Sequence, residues 1–317
     1  IGTVEYDTAD GTIDAPLTTP DCLTIARAQK RMVESGAKFM VIEASSHALA
    51  QNRLASIDFA AAAFTNLTGD HLDYHKNRQN YLAAKTLLFE RLSADATAVL
   101  NRASPFSSHI AARTAARKVF FDVDAPAEIT ARIESIDLAG TSFVLDYSGC
   151  SQPVRTALLG RHNVSNALAA AGLCLAAGFD LETIAEGISS LKAVPGRLEK
   201  VDADADFSVL IDYAHTDDAL KNVLSALKPL CKGSLTVVFG CGGDRDRTKR
   251  PRMAAVAEEL ADRVVVTSDN PRTEDPLAII DEITAGLKNP RSEKVLVEPD
   301  RRKAIELAIG NARTDDI

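Results

Sequence analysis

Arg263-Val264-Val265-Val266-Thr267-Ser268-Asp269-Asn270-Pro271-Arg272 is the stretch from which the fold is read. Its first half is a β-branched run of the kind that fills a strand buried on both faces of a parallel sheet. Its second half breaks into a turn carrying an acid, an amide, a rigid proline and a guanidinium. In open α/β sheets, ligands bind outside the carboxyl ends of the strands, so this turn occupies ligand-binding territory. Arg272 offers a planar bidentate fork for a carboxylate, Asp269 and Asn270 can receive an ammonium group, and Pro271 fixes φ. The set suits a small zwitterion such as a free amino acid. The plain alternative is that Asn-Pro turns the chain and Arg272 is solvated.

Helical and strand patterns alternate outward from this point, which indicates α/β architecture with largely parallel sheets. Residues 24–35 and 78–92 read as helices, and 38–43, 59–65 and 97–100 as strands. Between residues 128 and 159 the pattern shifts to short alternating strands, 129–136 and 142–147, expected as a small antiparallel patch. Residues 161–177 are an alanine-rich helix closed by Gly178. The tract Leu191-Lys192-Ala193-Val194-Pro195-Gly196 follows a helix and precedes a new strand, 208–212. A domain boundary is placed there, giving domains 1–195 and 196–317. The second half then repeats strand and helix through 217–228, 234–239, 250–261, 263–267, 276–287, 294–297 and 300–311.

The chain has 317 residues, enough for two cores, with 46% hydrophobic and 25% charged residues. A net charge of −8 argues against a nucleic-acid surface. No apolar run is long enough for membrane insertion, and the first residues lack signal-peptide character. Five cysteines with no Cys-x-x-Cys pair fit reduced thiols in a cytoplasm better than a disulfide framework.

Further motifs surround the loop: Glu43-Ala44-Ser45-Ser46-His47, Thr65-Asn66 with Asp70-His71-Leu72-Asp73-Tyr74-His75, Asp212-Tyr213-Ala214-His215-Thr216, and Gly242-Gly243-Asp244-Arg245-Asp246. Glu43 closes the expected strand 38–43, and His71 lies in a loop after another, so both can reach one sheet edge. Oxygen and imidazole ligands with open positions suit a divalent ion that also touches phosphates. At about 100° per residue, Lys85 falls in the middle of an apolar stripe of Tyr81, Leu88 and Leu92, with Glu90 opposite. Such a lysine must snorkel, pair or change its charge. Gly240-Cys241-Gly242-Gly243-Asp244 only superficially suggests a dinucleotide fingerprint, because the third glycine is missing. Arg161-His162-Asn163-Val164-Ser165-Asn166 opens a helix, where asparagines also serve as caps.

Together these ordered motifs resemble the Mur ligases that add meso-diaminopimelate to UDP-N-acetylmuramoyl-L-alanyl-D-glutamate, and the resemblance covers essentially the whole chain. It implies a P-loop-type, mostly parallel central domain followed by a Rossmann-like C-terminal domain. It implies a cytoplasmic, monomeric, ATP-dependent amide ligase of peptidoglycan biosynthesis working through an acyl phosphate. By resemblance, Mg2+ is held by Glu43, His71 and carbamylated Lys85, and ATP lies near Asn163, Asn166, Arg197 and Asp212. The UDP-muramoyl dipeptide is assigned to Thr18, Thr19, Ser45, Gln51 and Arg53. Diaminopimelate is assigned to Arg245, Asp269, Asn270, Pro271 and Arg272. A lysine-adding or folate-type ligase is the nearest rival, followed by a silent binding module and, more distantly, a dehydrogenase.

Two departures from the family pattern stand out. No Gly-x-x-x-x-Gly-Lys-[Ser/Thr] loop occurs, although the family carries one just ahead of the position of residue 1, after a uridine-binding domain. The family also continues past the position of residue 317 into a Gly-Lys-Gly-His-Glu-like loop. The expectation is therefore an internal piece of the ligase, inactive alone and weak in ATP binding, with an open sheet edge and exposed apolar side chains in its first domain.

Overall fold

The structure is a computed structural model that describes residues 1–67 and 72–317, with the backbone alone for residues 72 and 73. Two compact units emerge: one of Ile1–Leu67, Tyr74–Thr130 and Leu168–Leu181, the other mainly of Ala131–Ala167 and Glu182–Ile317.

The first unit is built on strands Ala61–Phe64, Thr97–Asn101 and Arg117–Asp122, which run parallel in that order. Ile129 and Thr130 continue the parallel order beside Phe121 and Asp122. The expected antiparallel patch is present in the second unit, where Gly140–Tyr147 and Cys150–Thr156 pair in antiparallel register. Tyr81, Leu88, Phe89 and Leu92, on or just after the helix Arg78–Glu90, pack with Phe64, Leu100 and Ile110 in one core. This is the amphipathic face that the helical period marks out.

One expected strand is absent. Residues 38–43 form no strand; among the described residues their backbone meets Ile1, where Ile1 N donates to Val41 O (3.0 Å) and Glu43 N to Ile1 O (2.9 Å), and the Thr19 hydroxyl, which donates to the Glu43 carbonyl. A strand requires a continuous ladder, and two bonds to one residue do not supply it. Ala61–Phe64 accordingly stands at the sheet edge, while Phe39 and Val41 are 58% and 74% exposed.

In the second unit, Thr236–Phe239, Arg263–Val266 and Val295–Val297 form a parallel three-stranded sheet. The helices Asp217–Leu227, Lys249–Leu260 and Pro276–Thr284 contribute Leu220, Leu224, Met253, Ala257, Ile279 and Ile283 to its core. Thr216 caps the first helix and Asp275 the third through their side chains. The expected strand 208–212 shortens to Leu210–Ile211 and pairs antiparallel with Glu199–Lys200, outside the parallel sheet. Ile211 is exposed, and the backbone of this stretch is bonded to residues 196–201 instead, with Tyr213 N donating to the Gly196 carbonyl (2.7 Å) and Val201 N to the Val209 carbonyl (2.9 Å). No helix among the described residues is long and apolar enough to cross a membrane.

Candidate active site

Around Glu43, the first unit gathers most of the residues assigned there from sequence. Glu43 is exposed, and its Oε2 accepts the Thr3 hydroxyl (2.8 Å) and the Thr3 backbone N–H (3.2 Å). The Thr3 hydroxyl also shares a bond with that of Thr18 (3.0 Å). The Thr19 hydroxyl donates to the Glu43 carbonyl and accepts from Ser45 N (3.0 Å), and Arg53 Nη1 donates to the Thr19 carbonyl (2.8 Å). Arg53 Nε then donates to Gln51 Oε1 (2.9 Å), and Gln51 Nε2 to the Tyr74 hydroxyl (3.3 Å). Thr18, Thr19, Glu43, Ser45, Gln51 and Arg53 therefore belong to one bonded cluster. Ser45 has a structural task as well, because it caps the helix Ser46–Ala50.

Lys85 is half-buried, its Nζ 5.2 Å from the centre of the Tyr81 ring. A desolvated ammonium over an aromatic face gains from the ring quadrupole. Tyr81 in turn stacks on His75 (5.1 Å, 20°), whose buried imidazole shares a 2.9 Å bond with the Ser46 hydroxyl. This column joins the helix of Lys85 to the segment beside Ser45, with no direct bond from Lys85 to Glu43. His75 has no role assigned from sequence, because its spacing from Tyr81 gives no sign of burial. His71 lies outside the described residues. Among the described residues, no group of three or more His, Cys, Asp or Glu side chains forms a metal cluster.

The second unit holds the assigned nucleotide positions. Asn163 Nδ2 donates to the Leu159 carbonyl (2.8 Å) and Asn166 Nδ2 to Asn163 Oδ1 (3.2 Å), so both amides brace the start of their helix. Asp212 accepts the backbone N–H groups of Leu198 and Ala214, each at 2.8 Å, and Arg197 lies over the Tyr213 ring at 5.2 Å. Burial pushes the His162 imidazole below its ordinary range, while the neighbouring Asp212 carboxylate acts in the opposite direction. The helix start and the turn around residue 212 are thereby brought together.

At the carboxyl ends of the parallel strands, two loops interlock. Gly243 N donates to the Asn270 carbonyl (2.9 Å), and Arg272 Nη1 donates to the Gly243 carbonyl (2.7 Å). Approach this close excludes larger residues: a Cβ on Gly243 would lie 1.9 Å from the Pro271 carbonyl oxygen, and one on Gly240 2.4 Å from that of Thr267. Asn270 Oδ1 accepts Arg272 N (3.1 Å) in an Asx-type turn. Asp269, Asn270, Arg272 and Arg245 are exposed. Arg245 has no bonding partner among the described residues and makes no bond to residues 268–272.

Two family models match. The Mur ligase middle domain covers residues 1–174, and the Mur ligase glutamate ligase domain covers residues 196–317. The chain belongs to the Mur ligase family. It is 43% identical over its full length to the UDP-N-acetylmuramoyl-L-alanyl-D-glutamate–2,6-diaminopimelate ligase of Geobacillus kaustophilus and 44% identical to that of Bacillus licheniformis. It spans 66% of the length of each of these relatives. A solved structure of a diaminopimelate ligase of the same description aligns over 100% of the chain and 66% of its own, with 34% identity and a TM-score of 0.66. A folylpolyglutamate synthase of Mycobacterium tuberculosis aligns over 80% of the chain and 57% of its own at 24% identity, TM-score 0.67, a likeness of fold. The α/β architecture with middle and C-terminal Mur ligase domains is thereby shown.

Proposed function

We propose that this chain carries the catalytic and amino-acid-binding parts of an ATP-dependent ligase joining meso-diaminopimelate to UDP-N-acetylmuramoyl-L-alanyl-D-glutamate in peptidoglycan synthesis. In this reading the dipeptide's terminal carboxylate takes a phosphoryl group from ATP, and the amine of diaminopimelate attacks the acyl phosphate. The observation that carries it is the pair of interlocked loops bearing Arg245, Asp269, Asn270 and Arg272 outside the carboxyl ends of parallel strands. Arg272 has one guanidinium nitrogen anchored on Gly243, and its remaining N–H groups suit a carboxylate. Lysine has no second carboxylate to hold, so two arginines favour diaminopimelate over lysine. Relatives 40–45% identical to the chain are 2,6-diaminopimelate ligases, which supports this choice.

For the dipeptide, the reading uses the cluster of Thr18, Thr19, Ser45, Gln51 and Arg53. For the nucleotide, it uses Asn163, Asn166, Arg197 and Asp212. Glu43 fits a Mg2+ ligand because Thr3 occupies only its Oε2, leaving Oε1 without a partner among the described residues. His71 and carbamylated Lys85 would complete the set. When bound, Mg2+ neutralises phosphate charge and the charge developing at transfer. The five free thiols fit a cytoplasmic setting, and a monomer is the assembly proposed.

Isothermal titration of the chain with diaminopimelate, L-lysine and ATP–Mg2+ tests the proposal. Preferential binding of diaminopimelate is expected. Equal binding of lysine, or binding of neither amino acid, would sink it.

A further inference from the structure

Arg250 lies in the first turns of the helix Lys249–Leu260, yet its side chain is 1% exposed. A guanidinium removed from water must have its charge and N–H groups matched. Nη1 donates to Glu274 Oε2 (2.9 Å) and Glu282 Oε2 (2.8 Å), and Nη2 to Glu274 Oε1 (2.7 Å) and the Gly242 carbonyl (3.4 Å), so the charge is matched, while the buried Nε has no partner among the described residues. Glu282 is shared with Arg247, so two guanidiniums and two carboxylates close a neutral network.

The network bears directly on the two interlocked loops. Glu274 Oε1 also accepts the Asp244 backbone N–H at 2.6 Å. Arg250 touches Gly242 in one loop and Glu274 beyond the other. Both loops need such support, because Asp244 (φ +53°) and Arg272 (φ +50°) occupy the left-handed region, which non-glycine residues hold only when their surroundings impose it. Buried ion networks add little net stability compared with apolar packing of equal volume, so fold stability alone explains this one poorly.

We propose that Arg250 and Glu274 are positioning residues that lock residues 242–246 to residues 269–274, presenting Arg245 and Arg272 as a preformed receptor for an amino acid's carboxylates. The inference rests on the ligase reading above and concerns residues that touch no substrate in it. Preformation lowers the ordering cost of binding, so loosening the lock should weaken affinity without removing any contacting group.

Glu274→Gln keeps the size of a half-buried side chain, and Arg250→Lys keeps the charge but loses the fork. Each is compared with the parent 317-residue chain by amide hydrogen exchange and by diaminopimelate titration. The expected result is exchange at Gly243 and Asp244 accelerated, and diaminopimelate affinity lowered, each about tenfold, the scale of one charge-assisted bond. Exchange in Thr236–Phe239 and Arg263–Val266 should stay at the parent's rate. Parent-like loop exchange overturns the lock, and faster exchange with unchanged affinity overturns its role in recognition. If the parent itself binds no diaminopimelate, the ligase reading and the recognition role fall together, while the exchange measurement still decides whether the lock exists.

Discussion

Thr273 donates its hydroxyl to Asp244 Oδ1 (2.7 Å) and its backbone N–H to Asp244 Oδ2 (3.2 Å), stitching together two loops from different strands. Asp244 is thereby held from both sides: its carboxylate by Thr273 and its own N–H by Glu274. The residue that follows it, Arg245, extends from a backbone with little freedom to drift. Arg272 on the facing loop is tethered in the same way, through the Gly243 carbonyl.

For Arg272, the expected consequence is selective. In a complete enzyme, Arg272→Ala should raise KM for diaminopimelate far more than KM for ATP, a loss of ~1.5–3 kcal/mol in amino-acid recognition. Steady-state kinetics with each substrate varied in turn makes the measurement, and unchanged amino-acid kinetics would remove Arg272 from the site.

Gly243→Ala should destabilise the second unit. The new Cβ would fall 1.9 Å from a backbone oxygen of Pro271, which no rotamer change can relieve. Overpacking of this kind costs ~1–3 kcal/mol, and more where backbone must move. Thermal unfolding reads the effect, and a parent-like Tm would show that the loops part easily.

Acid should weaken the same region. The Arg250 guanidinium, helped by the Asp244 N–H, pulls the Glu274 carboxyl down from its ordinary 4.5 to about 2. Its contribution is therefore complete above pH 4.5 and is lost as pH falls from 4.5 through about 2, where the folded-state carboxylate takes up its proton. Urea unfolding across that window should show a stability loss that Glu274→Gln makes shallower. Identical pH slopes in the two proteins would contradict the assignment.

Lys85→Ala should nearly abolish turnover in a complete enzyme, and added short carboxylates such as acetate should partly restore it if a carbamate is the working form. Placement of Nζ over the Tyr81 ring, half out of water, motivates the expectation. Normal activity of Lys85→Ala without additives would reduce Lys85 to a packing residue.

Much of the fold was legible because its signals are local. The run Val264-Val265-Val266 and the apolar periods of residues 217–227, 249–260 and 276–284 each mark an element within one window. The place of Asp269, Asn270 and Arg272 was legible for the same reason, since an Asn-Pro turn after a buried strand declares its position at the strand's carboxyl end. Residues 38–43 show the limit. Their composition favours a strand, yet strand identity depends on backbone partners, which the segment itself cannot specify.

Residue sequence alone determined the alternation of strands and helices, the polar turn after Val266 and the apolar stripe that includes Tyr81 and Leu88. Tertiary structure alone decided the setting of Arg250 and His75. In sequence, Arg250 sits in Lys-Arg-Pro-Arg, a charged stretch with every mark of a solvated helix start. In the fold it is buried against Glu274 and Glu282, which follow it by 24 and 32 residues. His75 likewise becomes a buried stacking partner of Tyr81 with Ser46 across from it. Local pattern encodes which face of an element is apolar. Whether a charged or polar side chain can leave water depends on partners brought from distant positions, and only the folded chain supplies them.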